Sequence, residues 1–199
     1  MGIKGLASTA TRLFDQLSDE ERREFFTLID SEATRLARVA DQVATVIVLE
    51  ADDLHVDLDD VVAAHLVADA AENHDRVRVG TEVAATVRAD RRLATATLTT
   101  LIDNAESYSD GPVTITITEL ADTVQISVCD EGVGLDQALH PQAFERFTTV
   151  RPIGYEGVPG AGLGLYLGRI LTEAQGGTLS MEALAEGGTM LVLTLPRGG

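Results

Sequence analysis

The chain has 199 residues, 45% of them hydrophobic and 24% charged, with a formal net charge of −17 and a pI near 4.4. A surface this acidic excludes a general binder of nucleic acid or anionic membrane, so any phosphate ligand must be held by local groups. No apolar run approaches the ~18–20 residues of a membrane span, no leader pattern opens the chain, and the single cysteine, Cys129, excludes an internal disulfide framework and fits a reducing, cytoplasmic compartment.

Residues 3–17 place Leu6, Ala10, Leu13 and Leu17 on one helical face. Ser18, followed three residues later by Glu21, is a capping box that ends one helix and opens the next. That second helix carries Phe26, Ile29, Ala33, Leu36, Ala40, Val43 and Ile47 at alternating spacings of three and four, a seven-residue repeat. The pattern fits either a helix packed on its own domain or an antiparallel helical hairpin, residues 1–54, that dimerises into a four-helix bundle. The first helix is much the shorter and leaves part of the long stripe uncovered.

Residues 51–58 form a polar connector, and a second domain is expected over 55–199. A helix is predicted over Asp59–Glu72, with Val62, Leu66, Val67 and Ala70 inward. Arg76–Val79 and Ala85–Arg88 alternate as strands around Gly80 and are expected to form a hairpin-like pair. His55, His65, His74 and His140 are scattered without ligand spacing, which argues against a zinc site.

A helix is predicted over Asp90–Tyr108, burying Leu93, Thr97, Leu98, Leu101, Ile102 and Ala105. Asn104 lies at the margin of that face, either as an ordinary residue near a helix end or as an amide oxygen for Mg²⁺, which prefers hard oxygen ligands. Val113–Thr118 and Asp122–Val128 alternate as an antiparallel pair. The second of these strands points Val124, Ile126 and Val128 inward, and Asp130 follows on the same face. A carboxylate there demands a partner, in the protein or in a ligand N–H, because unpaired burial of even a neutral polar group costs roughly 2–7 kcal/mol. Gly132 and Gly134 would admit a flat ligand close to the backbone, although Asp-x-Gly-x-Gly alone also fits a tight turn after a strand. Residues 136–159 are a long irregular stretch of the kind that forms lids. Gly160, Gly162, Leu163 and Gly164 then lead into a helix whose free N–H groups suit phosphate. The Rossmann pattern fails for want of a preceding strand, and the Walker pattern for want of Gly-Lys-Ser/Thr. Two final strands close the chain.

Four motifs in this order resemble the ATP-binding catalytic domain of sensor histidine kinases, in the superfamily of gyrase B and MutL. Leu101–Ala105 with Tyr108 is similar to the family's N box and Asp130–Gly134 to its first glycine box. Phe144-Glu-Arg-Phe147 is similar to the F box, and Gly160–Gly164 to the second glycine box. The resemblance implies an α+β fold, a two-layer sandwich of mixed sheet on helices (the Bergerat fold) preceded by the helical hairpin. It implies ATP and Mg²⁺ as cofactors, with Asp130 accepting from the adenine amine, Asn104 ligating the metal and Tyr108 lining the pocket. Ser107 would border the nucleotide, Gly132 and Gly134 would flank it, Arg146 would reach the terminal phosphate, and the amides around Gly160, Gly162, Leu163 and Gly164 would hold the phosphates.

Three positions depart from the family. No phosphoacceptor histidine motif is present in the hairpin, so the resemblance implies transfer to a histidine-bearing domain in trans. Thr100 stands where kinases often carry a second Asn and the hydrolytic relatives a Glu base, which predicts slow uncoupled hydrolysis. Ser107 replaces the usual basic residue. The leading expectation is therefore the ATP-binding part of a two-component histidine kinase, working as a homodimer with a response regulator. The alternative is a kinase-inactive nucleotide-binding and dimerisation module, and a serine-kinase anti-sigma factor is a third reading that leaves the hairpin unexplained.

Overall fold

In a computed structural model of the chain, the described residues are 2–50, 54–81, 84–155, 158, 160–185 and 187–199. The side chain of Ile47, the connector residues Ala51–Asp53, and Gly157 and Pro159 of the long loop lie outside them. The chain divides into two compact units, Met1–Asp53 and Leu54–Gly199.

The first unit is a hairpin of α1 (Ile3–Leu13) and α2 (Asp19–Glu50), joined through a 3₁₀ turn at Phe14–Gln16. Leu6 and Ala10 of α1 are buried, and Leu13 and Leu17 are half-buried. The capping box forms as the sequence requires. The Ser18 N–H and hydroxyl each donate to Glu21 Oε2 at 2.8 Å, and the Glu21 N–H donates to Ser18 Oγ at 3.3 Å. These bonds hold the Glu21 carboxyl below its ordinary value. Arg22 closes the corner by donating from Nε and Nη2 to the Phe14 carbonyl at 3.0 and 2.8 Å while lying over the Phe14 ring. Along α2, Phe26, Leu36 and Val43 of the heptad stripe remain 59%, 60% and 42% exposed.

The second unit is a five-stranded sheet with α3 (Ala63–Ala71), α4 (Arg91–Tyr108) and α6 (Gly164–Glu173) on one face. Strand order is β2 (Val77–Thr81), β4 (Val113–Glu119), β5 (Thr123–Cys129), β7 (Thr189–Pro196), β6 (Thr178–Ala183). Only β2–β4 is parallel, so the sheet is mixed. Alternation aims Val113, Ile115 and Ile117, Val124, Ile126 and Val128, and Leu191, Leu193 and Leu195 into one core with Leu66, Leu98, Leu101 and Ile102 of the helices. Each such side chain contributes on the order of 1.5–3 kcal/mol by leaving water. A separate pair, β1 (Asp59–Val62) and β3 (Thr86–Ala89), is antiparallel, and the short α5 (His140–Ala143) follows β5.

Two expectations are corrected. The helix predicted from Asp59 begins at Ala63; Asp59–Val62 is extended, with Val61 opposite Val87 and Val62 opposite Thr86. The helical spacing of Leu66, Val67 and Ala70 is real, but the β-branched pair ahead of it finds a strand partner, and tertiary pairing overrides the helical period. The strands around Gly80 do not pair with each other: β2 runs parallel to β4, and β3 pairs with β1. Gly80 sits inside β2 where the register shifts between Val79 and Thr81, and a Cβ there would lie 3.3 Å from Thr116 Cγ2. It is a bulge glycine in close packing, not a turn glycine.

A buried polar link fixes α4 against α6. Asp90, 6% exposed, caps α4 by accepting from the Leu93 N–H at 3.1 Å, and its own N–H donates to Gln175 Oε1 at 3.0 Å. Gln175 Nε2 in turn donates to the Leu171 carbonyl at 2.7 Å. The two helices that carry Asn104 and the second glycine box are thereby held through fully satisfied groups.

Candidate functional site

Strand β5 delivers Asp130 to the edge of the core, where it is 4% exposed directly after buried Val124, Ile126 and Val128. Its N–H donates to the Thr189 carbonyl at 3.0 Å, and its Oδ1 accepts from the Gly132 N–H at 2.8 Å. Burial pushes the Asp130 carboxyl above its ordinary value, partly offset by the backbone N–H groups of Gly132 and Thr189. A buried carboxylate with this little compensation is a strong acceptor for a ligand N–H.

Backbone packs directly on backbone around it. A Cβ on Gly132 would run into the Tyr108 carbonyl and come within 2.9 Å of Asp130 Oδ1. Gly134, at φ +72°, presses on Gly188, and Gly188, at φ +91°, presses on the Asp130 carbonyl. The first glycine box, the end of α4 and the β6–β7 turn therefore interlock. Gly188 and Thr189 are missing from the sequence-based site, although the pair Gly187-Gly188 at a strand entrance signals an unusual turn.

The last turn of α4 supplies the next wall. Asn104 and Tyr108 are half-buried, and the Asn104 amide pairs with no other described residue. Ser107 is exposed and its hydroxyl turns back to the Asp103 carbonyl at 2.7 Å, while the Thr100 hydroxyl donates to the Ala96 carbonyl at 3.0 Å. Behind this turn, Arg76 donates to the carbonyls of Glu106 at 2.7 Å and Ser109 at 2.5 Å, and Glu106 meets His74 Nδ1 at 2.8 Å. A guanidinium on the final carbonyls complements the negative end of the helix.

The F box and the second glycine box are joined. Phe144 is buried; Phe147 is exposed and adopts φ 60°, unusual for a bulky residue, and its N–H donates to the Gly162 carbonyl at 2.9 Å. Gly162, at φ +66°, lies so close that a Cβ would stand 2.5 Å from the Thr148 carbonyl oxygen. Leu163 is buried as an anchor, and α6 opens at Gly164 with no side chain capping its first turn. A Cβ on Gly160 would meet no described residue within 4 Å. Arg146 is exposed, with its guanidinium 4.8 Å from the Phe147 ring centre. Farther along the loop, the Tyr155 ring sits 5.7 Å from that of Tyr108 in a tilted contact. Burial raises the Tyr108 hydroxyl above its ordinary value while the charge of Arg151 acts to lower it. Neither Tyr155 nor Arg151 is marked by any sequence motif.

Among the described residues no three His, Cys, Asp or Glu side chains converge as a metal cage. A single amide oxygen such as that of Asn104 fits Mg²⁺, which commonly keeps water and ligand phosphate oxygens as its other partners. No helix among the described residues is long and apolar enough to cross a membrane.

The family model for histidine kinase-, DNA gyrase B- and HSP90-like ATPases matches residues 89–199. The signal transduction histidine-protein kinase AfsQ2 of Streptomyces coelicolor is 31% identical over 176 residues, covering 85% of this chain and 32% of the relative. The sensor protein IrlS of Burkholderia pseudomallei is 38% identical over 115 residues, covering 57% and 25%. The chain thus spans only about a quarter to a third of these curated relatives. Among solved structures, full-length ShkA in complex with AMPPNP superposes over 100% of this chain and 46% of its own, with a TM-score of 0.69 at 21% identity. The Acinetobacter baumannii histidine kinase AdeS superposes over 99% and 95%, with a TM-score of 0.68 at 18% identity. The fold expected from the sequence, a mixed sheet on helices preceded by a helical hairpin, is the one observed.

Proposed function

Because the chain belongs to the family of histidine kinase-, DNA gyrase B- and HSP90-like ATPases, we propose that it binds ATP with the adenine amine on Asp130 and passes the terminal phosphoryl group to a histidine. The observation that carries this reading is the buried Asp130 carboxylate, held at its Oδ1 by the Gly132 N–H and walled by Gly132, Gly134 and Gly188. Tyr108 lines the pocket, Ser107 borders it, Arg146 reaches toward the terminal phosphate, and the amides around Gly160, Gly162, Leu163 and Gly164 cradle the phosphates. When bound, Mg²⁺ would neutralise phosphate charge, with the Asn104 amide as its protein ligand. The protein's contribution to the transfer is positioning and exclusion of water.

None of the four histidines lies in the hairpin, so in this reading the acceptor is a histidine outside this sequence. The exposed Phe26, Leu36 and Val43 on α2 favour a homodimer through the hairpin, with a response regulator as the downstream partner and the cytoplasm as the setting. Ser107 and Thr100 favour a second reading, a kinase-inactive nucleotide-binding module.

Calorimetric titration with a non-hydrolysable ATP analogue, with and without Mg²⁺, tests the pocket. Magnesium-dependent binding is expected, and no binding at millimolar nucleotide would transfer the role of the chain to its hairpin. Thr100, whose hydroxyl is committed to its own helix, cannot serve as a base for water. Thr100→Ala should leave ATP affinity and the slow background hydrolysis within about two-fold, a change worth only about 0.4 kcal/mol. A large change in hydrolysis would show that this position takes part in the chemistry.

A further inference from the structure

We propose that Arg76, which lies outside the pocket, is a positioning residue that sets the seam between the end of α4 and the first glycine box; this rests on the ATP-binding reading above. No motif marks it. Helix α4 ends at Tyr108 and β4 begins at Val113, and the chain crosses between them through Ser109-Asp-Gly-Pro112. Arg76 grips both ends of this link. Its carbonyl accepts from the Val113 N–H at 3.0 Å. Its Nη2 donates to the Glu106 carbonyl at 2.7 Å, and its Nη1 to the Ser109 and Gly111 carbonyls at 2.5 and 3.3 Å. Its Nε lies 3.6 Å from Glu106 Oε1, while Glu106 Oε2 meets His74 Nδ1 at 2.8 Å. One planar fork thus serves three carbonyls and a carboxylate, a geometry that a compact ammonium does not reproduce.

What Arg76 holds touches the site at two points. The Tyr108 carbonyl, one residue before Ser109, is the atom that a Cβ on Gly132 would run into, and a Cβ on Gly111 would stand 3.1 Å from Glu131 Oε2. The Gly132 N–H is the donor that holds Asp130 Oδ1 at 2.8 Å. A shift of the link therefore reaches the carboxylate through Gly132. On the helix side, the Glu106 carbonyl lies midway between Asn104 and Tyr108, in the turn whose carbonyls have no partner further along the helix. Without the guanidinium this turn frays, and the amide and the ring lose their fixed direction. Arg78, two residues on in β2, has no such reach: its Nη1 donates only to the nearby carbonyls of Asp75 and Val77.

The test titrates a non-hydrolysable ATP analogue with Mg²⁺ into the full chain, Arg76→Ala, Asn104→Ala and the double variant, with Arg78→Ala as the control, each at a temperature where it is folded. Arg76→Ala should bind roughly tenfold more weakly, and the double variant should lose clearly less than the product of the two single losses, because both changes act on the same turn. Arg78→Ala should stay within about two-fold of the unmodified chain. Without nucleotide, hydrogen exchange at the Gly132 amide should quicken in Arg76→Ala and not in Arg78→Ala. Arg76→Lys should fall between Arg76→Ala and the unmodified chain, and it carries the same comparison if Arg76→Ala does not fold. A lower melting temperature with unchanged affinity and unchanged Gly132 exchange would reduce Arg76 to a structural brace and overturn the proposal, as would losses that multiply with Asn104→Ala. Failure of the unmodified chain to bind nucleotide would overturn the ATP-binding reading instead, and Gly132 exchange would still decide whether Arg76 sets the seam.

Discussion

Asp130→Asn should reduce adenine-nucleotide affinity by about 100-fold or more while leaving the protein at least as stable at neutral pH. The Gly132 N–H decides the geometry, because it must keep an oxygen acceptor at 2.8 Å. In the variant the amide oxygen would take that place, turning the –NH₂ toward the ligand, donor against the donor of an adenine amine. A hydrogen bond to a charged acceptor contributes about 1.5–3 kcal/mol, and its replacement by an opposed donor adds to the loss, with each 1.4 kcal/mol equivalent to about tenfold.

Stability should move the other way. Burial raises the Asp130 carboxyl above its ordinary value, so its contribution to stability is fully present below the unfolded value and is lost as pH rises through the folded one. At neutral pH the wild-type chain carries this cost and the uncharged amide does not. Thermal melts should show the variant's advantage shrinking as pH falls into the ordinary carboxylate range. Nucleotide affinity of the wild type should fall over the raised titration of Asp130, whereas that of the variant should be flat. Unchanged affinity in Asp130→Asn would remove this residue from the site.

The parts of this protein legible in its sequence are those governed by neighbours in the chain. Alternation along β5 points Asp130 inward, and it is 4% exposed; Ser18 and Glu21 close their capping box over three residues; the helix expected over Asp90–Tyr108 forms as α4. What stays hidden depends on partners far along the chain. Val61 and Val62 extend because β3 lies beside them, and β2 joins β4, not β3, a choice that local alternation does not encode. Gly188 matters through its pressure on Asp130, fifty-eight residues earlier, and Tyr155 through its ring contact with Tyr108. Motif spacing marks one wall of the pocket at a time, whereas the closure between walls is a property of packing.

That closure makes the first two of the three glycines of the second box unequal, although the pattern Gly-x-Gly treats them alike. Gly162→Ala should cost more than tenfold in affinity for an ATP analogue, and Gly160→Ala should change it by less than about two-fold, within about 0.4 kcal/mol. Gly162 holds φ +66°, a conformation that costs a residue with a Cβ roughly 1–2 kcal/mol. That Cβ would also stand 2.5 Å from the carbonyl oxygen and 2.7 Å from the nitrogen of Thr148. Both are backbone atoms of the F-box turn, and neither can rotate away. Relief requires the turn and the loop to separate, which breaks the bond from the Phe147 N–H to the Gly162 carbonyl and shifts the first turn of α6, where the free N–H groups lie. A Cβ on Gly160 would meet no described residue within 4 Å, and Gly160 does not adopt a positive φ. Calorimetry on the two variants separates the accounts: equal, small effects would mean that the phosphates are held elsewhere, and a loss confined to Gly162→Ala would tie phosphate binding to the seam between the F-box turn and the start of α6.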